Sequence, residues 1–169
     1  NGSDVLRLEG DYSGGLLFSA ATMVDVEKIT VIDGFSYKLI LDNATNAAGL
    51  IVDASGLTGS NSLDLDASKE TTASLTATGG AGDDRIIAGA GDDTIVGGAG
   101  ADTLAGGAGK DLLSYAESTV GVTVNLVTNV NFGGDAQGDV LSGFETIVGS
   151  DWDDDITADG ADNLLIGGL

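Results

Sequence analysis

Asp84, Asp93, Asp102 and Asp111 stand nine residues apart, each with a glycine two and four positions upstream. A carboxylate is a hard oxygen donor. Glycines at alternate positions let the backbone take positive φ and curl, so that successive carbonyl oxygens point into one concavity. Carbonyl and carboxylate oxygens without nitrogen or sulfur suit Ca2+ better than Zn2+ or copper. The chain contains no His and no Cys, which removes thiol nucleophiles, disulfides, the usual triads and most zinc sites. Paired carboxylates can act as acid and base in glycoside hydrolysis. With 27 acids in 169 residues, however, close pairs follow from composition alone, and the repeated ones already have a metal role. The expectation is that the chain is not an enzyme.

The elements that would position these aspartates follow from the repeat itself. Residues 79–114 divide into four consecutive nines, GGAGDDRII, AGAGDDTIV, GGAGADTLA and GGAGKDLLS. Place two is Gly80, Gly89, Gly98 and Gly107; place four is Gly82, Gly91, Gly100 and Gly109; place six is the aspartate; place eight is Ile86, Ile95, Leu104 and Leu113. One large apolar residue per nine is too sparse for a helix face. The pattern predicts a tight turn closed by the aspartate, then a three-residue strand whose middle side chain points inward. Two turns and two strands make one coil, so repeats i and i+2 stack. Asp84 then meets Asp102 on one edge and Asp93 meets Asp111 on the other. Columns of bare carboxylates repel each other, and a hard cation resolves the repulsion.

The nine GGxGxDxUx, with U a large apolar residue, resembles the repeat of the RTX (hemolysin-type) calcium-binding proteins. The resemblance implies an all-β fold, a right-handed parallel β-roll, holding several Ca2+ ions. Carried over by position, it makes the ligands the side chains of Asp84, Asp93, Asp102 and Asp111. With them come the backbone carbonyls around Gly80, Gly82, Gly89, Gly91, Gly98, Gly100, Gly107 and Gly109. Two departures, Ala88 for the first glycine of the second nine and Lys110 before Asp111, remove no carboxylate. Weaker copies follow at 134–142 with Asp139 and Leu141, at 149–157 with Asp154 and Ile156, and at 158–166 with Asn163 before Leu165. Asp154 joins the expected metal ligands. Gly121 to Leu126 alternates as a strand, and this stretch with GDAQGDVLSGFETIVGS also resembles segments found among RTX nonapeptides, which extends the likeness over most of 79–169. Asp4 and Leu6 look like the close of a nine, and Gly167-Gly168 like the opening of one, so the sequence reads as a piece cut from a longer chain.

Two regions are expected: a β-rich part at 1–78 and a roll at 79–169. In the first, Ile29 and Val31 alternate with Lys28 and Thr30, and Tyr37, Leu39 and Leu41 alternate with Lys38, Ile40 and Asp42. Two short echoes, Val26-Glu27-Lys28-Ile29 with Phe144-Glu145-Thr146-Ile147 and Val52-Asp53-Ala54-Ser55 with Leu65-Asp66-Ala67-Ser68, hint at coils here too. β-Helix-like coils continuous with the roll, or a small β-sandwich capping it, both satisfy the pattern.

The formal charge of −21 repels phosphate backbones and anionic surfaces, so no nucleic-acid partner is expected. No apolar run approaches the roughly 18 residues of a membrane span, so no membrane insertion is expected. Asp151-Trp152-Asp153-Asp154-Asp155 places acids like an EF-hand, but Ile156 stands where the turn glycine belongs and Asp162 where the closing Glu belongs. Gly109-Lys110 is followed by Asp111 rather than Ser or Thr, which rules out a phosphate loop. Trp152 reads as a cap on the end of a core. Ala81, Ala90, Ala99 and Ala108 at place three, in place of Thr, argue against an ice-binding face. Asn43-Ala44-Thr45 fits the glycosylation triplet by chance.

The functional expectation is a calcium-binding structural module of a secreted or cell-surface bacterial protein. Residues 149–163 hold six acids and no Lys or Arg, so without cations the compact state repels itself, and calcium supplies folding energy. The resemblance implies type I secretion of the unfolded chain and folding outside the cell. An adhesin or surface-layer parent is favoured. The alternative is an accessory C-terminal β-roll of a secreted enzyme: a metalloprotease, lipase or polysaccharide-modifying enzyme. Any cell-surface glycan or protein partner would come through that parent chain.

Overall fold

Short runs in which apolar and polar side chains alternate make short strands, one face of each buried. The computed structural model describes residues 3–19, 23, 26–42 and 49–168. Its strands, numbered along the chain, fall by turns into two sheets. One sheet runs β1 (Val5–Leu8), β3 (Lys28–Val31), β5 (Leu50–Asp53), β7 (Leu75–Thr78), β9 (Thr94–Val96), β11 (Leu112–Ser114), β14 (Thr146–Val148) and β16 (Leu164–Ile166). The other runs β2 (Tyr12–Ser19), β4 (Tyr37–Asp42), β6 (Leu63–Asp66), β8 (Arg85–Ile87), β10 (Thr103–Ala105) and β13 (Val140–Ser142). A small third sheet pairs β12 (Thr123–Asn125) with β15 (Asp155–Thr157). Strand pairs in all three are parallel. The fold is an all-β parallel roll.

Neither main sheet breaks between residues 78 and 79. β6 pairs with β8 and β7 with β9, in register with the pairs on either side. The strands β1 to β7 are therefore coils of the same two sheets. A separate capping sandwich does not fit them, because a sandwich of that kind is built from antiparallel pairs.

Parallel register stacks like on like, and this builds the core. Ile29, Val52, Ala77, Ile95, Leu113 and Ile147 form one internal ladder. Leu39, Leu65, Ile86, Leu104 and Leu141 form the ladder facing it. All are buried, and each large one contributes about 1.5–3 kcal/mol relative to exposure. Strands β3 to β7 bury two or three side chains apiece, as with Tyr37, Leu39 and Leu41 on β4, whereas each strand of the nines buries one. Tyr37 also stacks on Tyr12 at 6.0 Å between ring centroids, and its hydroxyl donates to the Ile32 carbonyl at 2.6 Å.

The short echoes are repeated corners. Asp53 Oδ1 accepts from the Ser55 amide at 3.2 Å and hydroxyl at 2.7 Å, and Asp66 Oδ1 accepts from Ser68 at 3.1 and 2.7 Å, a local turn that ends the strand. Between β11 and β14 the chain makes a longer excursion carrying β12, a 3-10 turn at Gly134–Ala136 and β13. Trp152 caps nothing: it is 59 % exposed, in the bend before β15. The triplet Asn43-Ala44-Thr45 lies outside the described residues.

Candidate metal centre

At the start of β6 to β11 one backbone amide per strand donates to a carboxylate of the neighbouring coil rather than to a backbone carbonyl. On one edge, Asp84 Oδ1 accepts from the Leu63 amide at 2.7 Å, Asp102 Oδ1 from the Asp84 amide at 2.8 Å, and Asp139 Oδ1 from the Asp102 amide at 2.9 Å. On the other, Asp93 Oδ1 accepts from Leu75 at 2.7 Å, Asp111 Oδ1 from Asp93 at 2.8 Å, and Glu145 Oε2 from Asp111 at 2.8 Å. The structure thus places Asp84 beside Asp102 and Asp93 beside Asp111, and extends the columns to Asp139 and Glu145. Asp154 lies apart, beside β12. Its Oδ1 accepts from the Val122 amide at 2.8 Å and the Ser150 hydroxyl at 2.7 Å, and its Oδ2 from the Ser150 amide at 2.8 Å, so each of its oxygens has a protein donor.

The second carboxylate oxygen divides the four nines into two kinds. In the first two, the place-two amide donates to it: Gly80 to Asp84 Oδ2 at 2.6 Å, and Gly89 to Asp93 Oδ2 at 3.3 Å. In the last two, Asp102 Oδ2 and Asp111 Oδ2 are buried without any hydrogen-bond partner. The turns differ in the same way. Gly98 and Gly107 take φ of +93° and +106°, and Gly100 and Gly109 of +127° and +149°, while Gly80, Gly82, Gly89 and Gly91 are not left-handed. The expectation that every turn glycine serves positive φ holds only for the last two nines. In the first two, glycine is required by close approach: a Cβ on Gly80 would meet Leu57 Cβ at 2.6 Å, and one on Gly89 the Glu70 carbonyl at 2.6 Å.

The place-one glycines serve the carboxylates directly. A Cβ on Gly79 would collide with Asp84 Oδ2 and the Gly97 carbonyl, and one on Gly97 with Asp102 Oδ2. Ala88 carries that methyl, and its nine has the longer of the two Gly-to-Asp bonds. The carbonyls of Gly80 and Gly89 accept from the Ala99 and Ala108 amides at 3.0 and 2.9 Å, which leaves each a second lone pair.

Burial dominates the electrostatics. It pushes Asp102 up to about 8, with Asp139 and Asp84 adding repulsion, and it pushes Asp84, Asp111 and Asp139 up to about 6. Asp93 is raised for the same reason. The Tyr115 hydroxyl donates to Asp139 Oδ2 at 2.8 Å, and burial with that carboxylate drives the phenol well above its ordinary range. An unpartnered buried carboxylate oxygen costs far more than a surface one, and a hard cation is the partner its chemistry suits. Among the described residues no three carboxylates or other acidic or sulfur and imidazole donors converge, so a cation here must draw oxygens from the turn carbonyls as well. The residues present fit Ca2+ on those terms. Sequence reasoning missed Glu145 and Tyr115. The only signal for the first was its four-residue echo with Glu27, and none marked the second.

Residues 78–113 match the RTX calcium-binding nonapeptide repeat family, in four copies. No curated protein and no solved structure matches the chain.

Proposed function

We propose that this chain is a calcium-dependent structural module of a secreted or cell-surface bacterial protein, of adhesin or surface-layer type, with no catalytic role of its own. The observation that carries the reading is the pair of buried, unpartnered oxygens, Asp102 Oδ2 and Asp111 Oδ2, one on each edge of the stack. Asp84 with Asp102 and Asp93 with Asp111 would hold Ca2+ between stacked turns, helped by the glycine carbonyls. Bound Ca2+ supplies positive charge to columns that otherwise repel. The formal charge of −21 and the match to calcium-binding repeats support a module that folds where calcium is plentiful; extracellular modules bind at about 10⁻⁴ to 10⁻³ M. Asp154 lies apart from both columns, beside β12, and is left out of the set.

Far-ultraviolet circular dichroism with calcium and with excess chelator tests the reading. A β spectrum and a higher Tm in calcium are expected, with magnesium a poor substitute because its small octahedral shell resists a cage of carbonyls. Identical spectra and Tm in calcium and chelator would overturn it.

A further inference from the structure

Glu145 lies outside the four nonapeptides, on the short turn Gly143-Phe144-Glu145 that leads into β14. Three hydrogen bonds fix it against Asp111: its Oε2 accepts from the Asp111 amide at 2.8 Å, and the Asp111 carbonyl accepts from the amides of Glu145 at 3.2 Å and Thr146 at 2.9 Å. Its carboxylate therefore occupies the place that Asp111 itself occupies over Asp93. Asp111 is 1 % exposed, and its Oδ2 has no partner. That oxygen and the Gly143 carbonyl face the same bare Cα: a Cβ on Gly106 would lie 2.8 Å from Asp111 Oδ2 and in collision with the Gly143 oxygen. Oxygens from two turns, one of the last nonapeptide and one beyond it, thus gather at one end of the column.

We propose that Glu145 and the Gly143 carbonyl complete a Ca2+ site with Asp111, a site built half from the last nonapeptide and half from sequence outside the repeat. The proposal rests on the calcium reading above. The turn between β13 and β14 is three residues long against six between β10 and β11, and Glu145 is the residue in it that meets the Asp111 amide. The molecule contains its own control. Glu27 accepts from the Asp4 amide at 2.7 Å, and the Asp4 carbonyl accepts from the amides of Glu27 and Lys28 at 3.2 and 3.3 Å, the same backbone arrangement. Asp4, however, is exposed, so no buried oxygen waits there. Glu27 uses the arrangement to align strands, and Glu145 uses it to hold an ion.

The test is calorimetric Ca2+ titration of the full chain and of its Glu145→Gln, Glu27→Gln and Asp102→Asn variants. Glutamine keeps an acceptor for the amide and removes the charge. Glu145→Gln is expected to bind one ion fewer, or to bind one ion about 10- to 100-fold more weakly, with an unchanged β spectrum in saturating calcium; Glu27→Gln is expected to match the wild type. Wild-type stoichiometry and affinity in Glu145→Gln, with ions lost in Asp102→Asn, overturn this site and leave the calcium reading standing. A wild type that binds no calcium overturns both. Should Glu145→Gln fail to fold, Glu145→Asp retains the charge on a shorter arm: one weakened Tb3+ site by sensitised luminescence supports the site, and an unaltered titration overturns it.

Discussion

Asp53 and Asp66 sit below the usual carboxylate range, the first held there by the Lys28 ammonium and the second by the Ser68 hydroxyl; Asp64, which burial alone would raise, is brought down by Lys38 and Arg85. In the nines, Asp84, Asp93, Asp102 and Asp111 are all pushed up by burial. The same residue type is served differently in the two regions. Of six basic residues, only Lys110 follows Arg85, so the earlier coils answer their acids with ammonium, guanidinium and hydroxyl groups. The nines offer theirs amides and little else. A coil that buries two or three side chains per strand stands on apolar packing, and one that buries a single side chain needs help at its turns.

Calcium removal should separate the regions most. In excess chelator, hydrogen exchange read by mass spectrometry is expected to show residues 79–114 losing protection while 28–42 and 49–66 retain it. Equal loss in both would erase the contrast. Next in size is Gly98→Ala, which forces a side chain to φ of +93° and into the Gly80 carbonyl. It is expected to cost at least about 2 kcal/mol in denaturant titration, against little for Gly160→Ala, where a Cβ meets open space. Asp102→Ala strands the buried Asp84 amide, at about 1–3 kcal/mol. Combined in saturating calcium with Asp84→Ala it should be non-additive, because the two carboxylates would share one ion, whereas Asp84→Ala with Asp93→Ala, on opposite edges, should add. Additive losses within the stacked pair would show that the carboxylates do not act together.

The nines were legible because period nine fixes both the inward residue and the turn carboxylate: Ile86, Ile95, Leu104 and Leu113 are all buried where an alternating strand puts them. The column links there span 18 residues, but 23 from Asp4 to Glu27, 37 from Asp102 to Asp139 and 34 from Asp111 to Glu145. Coils of unequal length carry no period, so the continuity of residues 1–78 with the roll rested on strand alternation and two four-residue echoes. The two kinds of glycine turn were hidden for another reason. Gly80 and Gly98 share a letter, and their difference comes from what lies in the coil beneath.

A pH scan sharpens the comparison further. A carboxylate whose folded pKa lies above its unfolded value, about 3.9, binds protons more tightly when folded. The contribution of these groups to metal-free stability is then fullest below about pH 4 and is lost as pH rises through about 6 for Asp84, Asp111 and Asp139 and about 8 for Asp102. In chelator, Tm is expected to be higher at pH 5 than at pH 8. Saturating calcium should reverse the order, since its ligands must be deprotonated. A metal-free Tm that rises from pH 5 to pH 8 would contradict the buried columns. The smallest effect belongs to the earlier coils: Lys38→Met, which removes a half-exposed ion pair with Asp64, should cost about 0.2–1 kcal/mol in either buffer.

Parallel-strand hydrogen bonds and the carboxylate links both run along the axis of the stack, and this gives the molecule a mechanical character. A pull along that axis crosses every coil-to-coil interface in series, so the same force reaches each and the thinnest yields first. Strands of the nines are three residues long, against four to eight in the coils before them. The narrow section of the rod therefore includes the stretch tied at both edges by acidic columns, and on the calcium reading its tensile strength would follow the cation content of the surrounding fluid.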